Sequence, residues 1–273
     1  MSTESGTGLA SSDAGGRKRV PGDDRLATVT LPALAVVLIL VLWWAATAIF
    51  QVPAYLVPGP QVVFGTLLEF WDYLLAQTWV TLAETAIGFL AAIAIGIPTA
   101  MAIARWRVVE QMTYPLLLAI NAVPKVAIAP ILVVWLGFGQ LPKVVMVVLL
   151  CFFPIVLSTV AGLRSTPAEL VELSRSLDAG DLVEFAKVRF PWAMPQIFTG
   201  LKTAISLAVI GAVIAEFVGS SEGLGYVIVQ SGASADTALA FAAISLLALI
   251  SIVLFYLIAG LERYLLPWAE ENR

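Results

Sequence analysis

The sequence predicts an all-α, polytopic membrane protein with six transmembrane helices. Three observations carry that reading. Of its 273 residues, 60% are hydrophobic and only 12% are charged, and the mean hydropathy is +0.95. A soluble domain averages about 45–50% apolar and about 25% charged, so this chain holds more apolar surface than a water-facing shell could hide. Five apolar runs are long enough to cross about 30 Å of hydrocarbon as helices, and a sixth is long enough but broken by proline. Finally, Lys and Arg collect on alternate connections.

Residues 1–27 are rich in Ser, Gly, Thr and Asp, with a basic cluster at Arg17, Lys18, Arg19 and Arg25. Such a stretch buries too little apolar area to offset its ordering entropy, so a disordered cytosolic tail is expected, ahead of a membrane domain over 28–273. The competing reading is a secretory signal. Leu31–Phe50 is longer than a signal's apolar region and no A-x-A-like site follows it, so an uncleaved first span is favoured.

Residues 51–79 contain Pro53, Pro58 and Pro60, then an amphipathic run from Val62 to Trp79 with Phe64, Leu67, Leu68, Trp71 and Leu75 at helical spacing. One helix lying along the outer interface is expected, with Trp71 and Trp79 at headgroup depth. Thr85–Ala104 is the second span. Gln111–Gly137 is the broken third, interrupted by Pro115, Pro124, Pro130 and Lys125. Helix breakers and a charge at that depth are tolerated only where protein or a water-filled cavity supplies partners, which points this span inward. Val144–Leu163, a segment from about Pro195 to Phe217, and Thr237–Leu261 complete the six. Between the last two, residues 218–236 are Gly- and Ser-rich around Tyr226–Val229, and a helical hairpin dipping into the outer face is expected there.

With the amino terminus cytosolic, the inner side receives Arg17, Lys18, Arg19, Arg25, Arg105, Arg107, Arg164, Arg175, Lys187, Arg189, Arg263 and Arg273, while the outer loops receive only Lys143. A five-span or seven-span count throws one cluster outside. Both termini are therefore expected in the cytosol of a multi-pass protein of the cell's inner membrane.

The sequence has no His and a single Cys151, within an apolar run. Disulfide frameworks, zinc sites, haem ligation and a Ser-His-Asp triad are thereby excluded or nearly so, no metal or cofactor is expected, and catalysis by this chain alone is not. The net charge of −4 argues against nucleic acid as partner. Gly223 and Gly225 form a Gly-x-Gly, but no strand precedes it, so it is no nucleotide fingerprint. Tryptophans 43, 44, 79, 106, 135, 192 and 268 fall mostly near span ends, where interface anchoring accounts for them.

The longest inner connection, 164–191, is the informative one. Thr166-Pro167-Ala168-Glu169 reads as a capping box with Pro at the first helical position. Leu170, Leu173 or Ser174, and Leu177 then share one face. Asp178-Ala179-Gly180 breaks that helix, and Asp181-Leu182-Val183-Glu184 caps a second that should stop before Pro191. The pattern alone leaves two readings open: a helix pair resting on lipid headgroups, or an apolar stripe offered to the groove of a soluble partner.

The spacing from Glu172 to Pro191 resembles the EAA signature of permease subunits of ABC importers, in which Glu-Ala-Ala is followed by a Gly and then by Ile-x-Leu-Pro. The matching positions read Glu172, Leu173, Ser174, Asp178, Val188, Phe190 and Pro191. Glu and Pro keep their separation, whereas both Ala positions and the Gly are replaced. The Gly normally makes the turn; Asp178 can also adopt a left-handed conformation, or the break shifts to Gly180. Four further segments, AVPKVAIAPILVVWLGFG (122–139), FFPIVLSTVAGLRS (152–165), FPWAMPQIFTGLKTA (190–204) and AEFVGSSEGLGYVIV (215–229), resemble the nitrate/sulfonate/taurine branch of the binding-protein-dependent permeases. The similarity extends over roughly residues 55–265.

The resemblance implies an ABC type I importer permease-like fold and a translocation pathway for a small solute. That solute would be a sulfonate-, nitrate- or taurine-like anion, or a thiamine-pyrimidine precursor or riboflavin. It implies as partners two ATP-binding-cassette ATPase subunits, an extracytoplasmic solute-binding protein and a second permease copy, a homodimer being expected. The sequence itself contains no G-x-x-x-x-G-K-[ST] phosphate loop, so nucleotide must bind another chain. Carried over by position, the ATPase-coupling residues are Glu172, Leu173, Ser174, Arg175, Leu177, Asp178, Ala179, Gly180 and Val183, with Leu173 and Leu177 as apolar contacts and Glu172 and Arg175 as charged ones.

Three ionisable residues fall at membrane depth: Glu84, Lys125 and Glu216. Each needs a partner or water. Lys125, beside Asn121 and Pro124, could help an anion through a narrow pore; alternatively it pairs with Glu84 or Glu216, or snorkels. Asn121, Pro124, Lys125 and Glu216 are the candidate pathway residues. Glu84 and Glu216, near outer span ends, are expected to be solvated there. The rival functional reading, a self-sufficient secondary transporter or channel, would need no docking loop and would often show inverted repeats, which are not evident here.

Overall fold

The computed structural model describes residues 23–268. Among these the chain is helical, with no strand. It divides into two units. The first, ending at Gln51, contains helix α1 (Asp23–Ile49), whose apolar part Leu34–Ile49 lies within the expected first span Leu31–Phe50 but, among the described residues, is shorter than the helices long enough to cross a membrane. Of the tail expected over 1–27, residues 1–22 lie outside the described residues, and Asp23 already belongs to α1.

The second unit begins at Val52. It comprises α2 (Pro60–Glu69), α3 (Trp71–Arg105), α4 (Arg107–Asn121), a 3₁₀ turn (Lys125–Ile128), α5 (Ala129–Leu136), α6 (Gln140–Arg164), α7 (Ala168–Ser176), α8 (Asp181–Glu184), a π turn (Phe185–Arg189), α9 (Phe190–Gly219), α10 (Leu224–Ala233) and α11 (Thr237–Leu265). Among the described residues four helical runs are long and apolar enough to cross a membrane: α3, α6, the continuous run Asp181–Gly219, and α11. The proline-broken segment forms a fifth if its two arms, Gln111–Asn121 and Lys125–Leu136, are taken together; they bend by 77°. Pro124 marks the break and Pro130 lies in the first turn of α5, whereas Pro115 is accommodated inside α4.

Three local expectations need correction. The amphipathic run Val62–Trp79 is not one interfacial helix. It is interrupted at Phe70, and Trp71 onward is continuous with the span, because between Trp71 and Arg105 the sole proline is Pro98 and a helix once nucleated propagates. Residues 218–236 contain the end of α9 and one short helix, α10, preceded by a turn in which Ser220 Oγ accepts from Glu222 N–H at 3.1 Å, rather than a hairpin of two helices. The second helix of the 164–191 loop does not stop before Pro191. The chain passes from α8 through the π turn into α9 with Pro191 in the first turn of α9, since the wider π turn makes room for a ring that would clash with the carbonyl four residues back in a tight helix.

The core lies where α6 packs between α3 and α9. Val147, Cys151 and Ile155 of α6 meet Phe89 and Ala92 of α3 and Ala204, Ala208 and Ala212 of α9, all buried. Lipid supplies no hydrophobic drive between helices, so close backbone approach over small side chains does the work. A Cβ on Gly211 would lie 3.0 Å from the Val147 Cα, and one on Gly200 would lie 3.0 Å from the Pro154 carbonyl. The Cys151 thiol donates to the Ala204 carbonyl across this seam at 3.1 Å.

Candidate functional site

Two polar clusters stand out against this apolar frame, one in the 164–191 loop and one where α3, α6, α9 and α10 meet.

In the loop, Thr166 does not cap α7. Its hydroxyl donates back to Leu163 O at 3.2 Å, and the cap position is Pro167, so the expected capping box is absent. The C-terminal end is better defined. Asp178 N–H donates to Arg175 O at 3.0 Å and Ala179 N–H to Ser174 O at 3.2 Å, the paired bonds of a Schellman turn. Asp178 takes the left-handed position at φ +58°, while Gly180 is extended at φ −64°, so the turn sits on the Asp. Chain reversal then starts α8.

Beneath the turn, Glu184 is 4% exposed. Its Oε1 accepts from Arg189, with Nε and Nη2 each at 2.7 Å, and its Oε2 accepts from Arg175 Nε at 3.2 Å. A buried carboxylate held by two guanidiniums satisfies both oxygens. It links α7 to the foot of α9. Arg105, ending α3, reaches Asp181 at 2.7 Å in an exposed pair, and Trp192 Nε1–H donates to Ser165 O at 3.0 Å. Four apolar side chains of this frame, Leu173, Leu177, Leu182 and Val183, are exposed, together with Glu172. Ser174, by contrast, is buried, and Arg175 faces Glu184. Leu182, Glu184 and Arg189 are the residues that sequence reasoning missed. The apolar spacing 173, 177, 182 was a usable signal for Leu182; for Glu184 none existed, since an acid in the first turn of a helix reads as ordinary capping.

The second cluster begins on one face of α3, where Gln77, Thr81 and Glu84 follow at helical spacing. Lys143 comes from the first turn of α6, Glu216 from the last turn of α9 and Gly223 to Gly225 from the start of α10. Glu84 and Glu216 are each 1% exposed and Lys143 is 6% exposed. Lys143 Nζ donates to Glu84 Oε1 at 2.6 Å. Thr81 Oγ1–H donates to Glu216 Oε1 at 2.7 Å, and Gly225 N–H to Glu216 Oε2 at 2.6 Å. Thr81 Oγ1 in turn accepts from Leu224 N–H at 2.8 Å, and Gln77 Oε1 accepts from Gly223 N–H at 2.6 Å. The backbone at Gly223, with φ +101°, folds directly against the Glu216 carboxyl, leaving no room for a side chain. The Gly-x-Gly is thus a cradle for a carboxylate of the same chain.

These positions correct the expectation of solvated Glu84 and Glu216, and of Lys143 in an outer loop. Lys143 enters α6 and is buried because Glu84 neutralises it. They also dispose of the alternative in which Lys125 pairs with either glutamate. Lys125, half-buried, donates to Asn121 O at 3.1 Å and Oδ1 at 2.7 Å and lies 4.8 Å from the Phe153 ring centroid. Asn121, Pro124 and Lys125 stay together at the bend, whereas Glu216 belongs to the other cluster.

Comparison with known proteins agrees with this architecture. Residues 92–270 match the family described as "Binding-protein-dependent transport system inner membrane component". The formylaminopyrimidine transport permease protein ThiX of Halalkalibacterium halodurans is 36% identical over 88% of this chain and 96% of its own length. The riboflavin transport system permease protein RibX of Chloroflexus aurantiacus is 36% identical over 86% and 88%, and the taurine transport system permease protein TauC of Escherichia coli is 28% identical over 90% and 92%. Among solved structures, an inward-facing conformation of the MetNI methionine ABC transporter superposes with a TM-score of 0.61 over 70% of this chain and 95% of that one, at 20% identity, which establishes the shared fold.

Proposed function

The chain belongs to the binding-protein-dependent transport system inner membrane components, and from that premise we propose that it lines the translocation pathway of an ATP-driven importer for a heteroaromatic vitamin precursor, such as a pyrimidine or a flavin. The relatives named for formylaminopyrimidine and riboflavin stand at 36% identity, against 28% for the taurine permease, which supports that class over a sulfonate. In this reading the subunit pairs with a second copy of itself, two ATPase subunits bind on the cytosolic side, and an external binding protein delivers the solute. Both termini are cytosolic, as the Lys and Arg asymmetry supports.

The observation that carries the coupling role is the buried Glu184 held by Arg175 and Arg189 under an exposed apolar face. Leu173, Leu177 and Leu182 offer the ATPase a surface, Asp178 sets the turn between the two helices, and Glu184 makes that surface move with α9. Since Asp181–Gly219 is one helical run, a displacement of the helix pair becomes a displacement of a membrane span. ATP can drive the change because the closed ATPase dimer binds one arrangement of the two spans better than the other. Glu172, Ala179, Gly180 and Val183 complete the docking segment.

Reconstitution tests this. The chain together with its ATPase and binding protein should accumulate formylaminopyrimidine or riboflavin in vesicles when ATP is supplied, and the chain alone should accumulate neither. Uphill uptake by the chain alone would make it a self-sufficient transporter and end the reading.

A further inference from the structure

Where α3 and α6 end and the 164–191 loop begins, a cavity of about 110 Å³ opens beside Glu184. Four arginines line it: Arg105 from the last turn of α3, Arg164 from the last turn of α6, Arg175 from α7 and Arg189 from the π turn. Two carboxylates answer them, Asp181 and Glu184. Helix dipoles favour a cation at the ends of α3, α6 and α7, and Glu184 draws in Arg175 and Arg189, but neither effect balances the sum. Arg105, Arg175 and Arg189 already outnumber the carboxylates, and Arg164 brings a fourth positive charge to the wall.

The donors also exceed the acceptors. A guanidinium carries five N–H groups in a planar fork. Among the described residues Arg175 spends only Nε on Glu184 and Arg105 only Nη2 on Asp181, which leaves both terminal nitrogens of Arg175, and Nε and Nη1 of Arg105, for solvent or a ligand. Glu184 has both oxygens engaged and offers an incoming cation nothing. The Arg175 and Asp181 side chains are 65% and 75% exposed, so the mouth of the cavity is open. Its volume is on the scale of a few waters or one tetrahedral oxyanion, and too small for a nucleotide. Arginine forks match phosphate oxygens two at a time, and basic pockets where helices leave a membrane hold lipid phosphates.

We propose that this cavity is an anion site for a single phosphate group, either the headgroup of an anionic lipid or free phosphate, bound by Arg105 and Arg175 with Arg164 and Arg189 adding to the positive field. The site goes beyond the importer reading and does not depend on it.

Titration calorimetry on the full chain in dodecyl maltoside, a detergent without phosphate, tests it at fixed ionic strength, with inorganic phosphate and short-chain phosphatidylglycerol as probes. At least one of them should bind saturably, at one per chain. Tighter binding of the lipid identifies the headgroup as the source, and tighter binding of inorganic phosphate the free anion. Arg105→Gln, which breaks only an exposed pair, should weaken the binding severalfold, and Arg175→Gln at least tenfold. Asp181→Asn, which removes a carboxylate from the wall and releases Arg105 Nη2, should tighten it severalfold. A gain of affinity is the sharper sign, because damage to the fold weakens binding and does not strengthen it. The Arg105 and Asp181 variants decide the matter if Arg175→Gln, which also takes a partner from Glu184, fails to fold. No saturable binding of either probe, or binding that neither Arg105→Gln nor Asp181→Asn alters, overturns the site.

Discussion

Lys143 Nζ lies 2.6 Å from Glu84 Oε1, and the two side chains are 7% and 1% exposed. The pair joins the first turn of α6 to the middle of α3 across 59 residues of sequence. Taking two charges out of water costs nearly what their attraction returns, so the pair adds little net stability; removing one partner leaves the other buried and uncompensated, at about 3–5 kcal/mol. Lys143→Met is therefore expected to lower the thermal unfolding midpoint sharply, and Lys143→Met combined with Glu84→Gln to recover most of the loss. A double-mutant cycle on purified protein measures the coupling. Additive losses would mean that the two groups do not depend on each other.

Gly225 and Gly232 lie on the same short helix and give opposite expectations. A Cβ at Gly225 would sit 2.7 Å from Glu216 Oε2 and 2.9 Å from Val213 O, so Gly225→Ala must push α10 off the Glu216 carboxylate. The lost hydrogen bond and orphaned oxygen should cost roughly 1–3 kcal/mol. At Gly232 nothing lies within 4 Å of an added Cβ. Gly232→Ala there should stabilise, by up to about 1 kcal/mol, through backbone entropy. Melting temperatures of the two variants, measured side by side, check the pair of signs.

Asp178 carries the turn from α7 to α8 at φ +58°. A non-glycine residue in that region is strained, by roughly 1 kcal/mol, and Asp tolerates it better than most. Asp178→Gly should relieve the strain and raise hydrogen-exchange protection across 168–184. Asp178→Val should lower both protection and ATPase affinity, because a β-branched side chain resists the left-handed well. Equal protection in the two variants would show that the turn does not depend on this residue.

The legible features were those set by local periodicity. Long apolar runs gave α3, α6, α9 and α11 because hydropathy reports how deep a segment lies. The same signal says nothing about azimuth or partners. Glu84 finds Lys143, and Glu216 finds Thr81 across 135 residues, by tertiary packing alone, so an acid near a span end read as solvated when it was buried. Pro191 misled for a related reason. Its ring forbids a tight helical turn before it, but a π turn satisfies the same constraint without ending the helix. At Asp178 sequence reasoning left two sites for the turn, and it took the backbone angles of Asp178 and Gly180 to choose between them.

The 164–191 loop separates contact from support, and mutations should separate them too. Leu177 and Leu182 are 74% and 84% exposed, so nothing in the folded chain depends on them. Leu177→Ser and Leu182→Ser should leave the melting temperature unchanged and weaken ATPase binding. Each leucine that the partner fully covers contributes about 1.5–3 kcal/mol, or roughly tenfold or more in Kd. Glu184→Gln does the reverse: Arg175 and Arg189 lose a buried countercharge, so stability falls while the apolar face remains. Arg105→Ala, which breaks the exposed pair with Asp181, should cost at most about 1 kcal/mol and lose its effect as salt is raised. Titrating ATPase onto the four variants, with melting curves for each, distinguishes the two classes. A Leu177→Ser variant that binds ATPase as tightly as the wild type would remove this face from the docking surface.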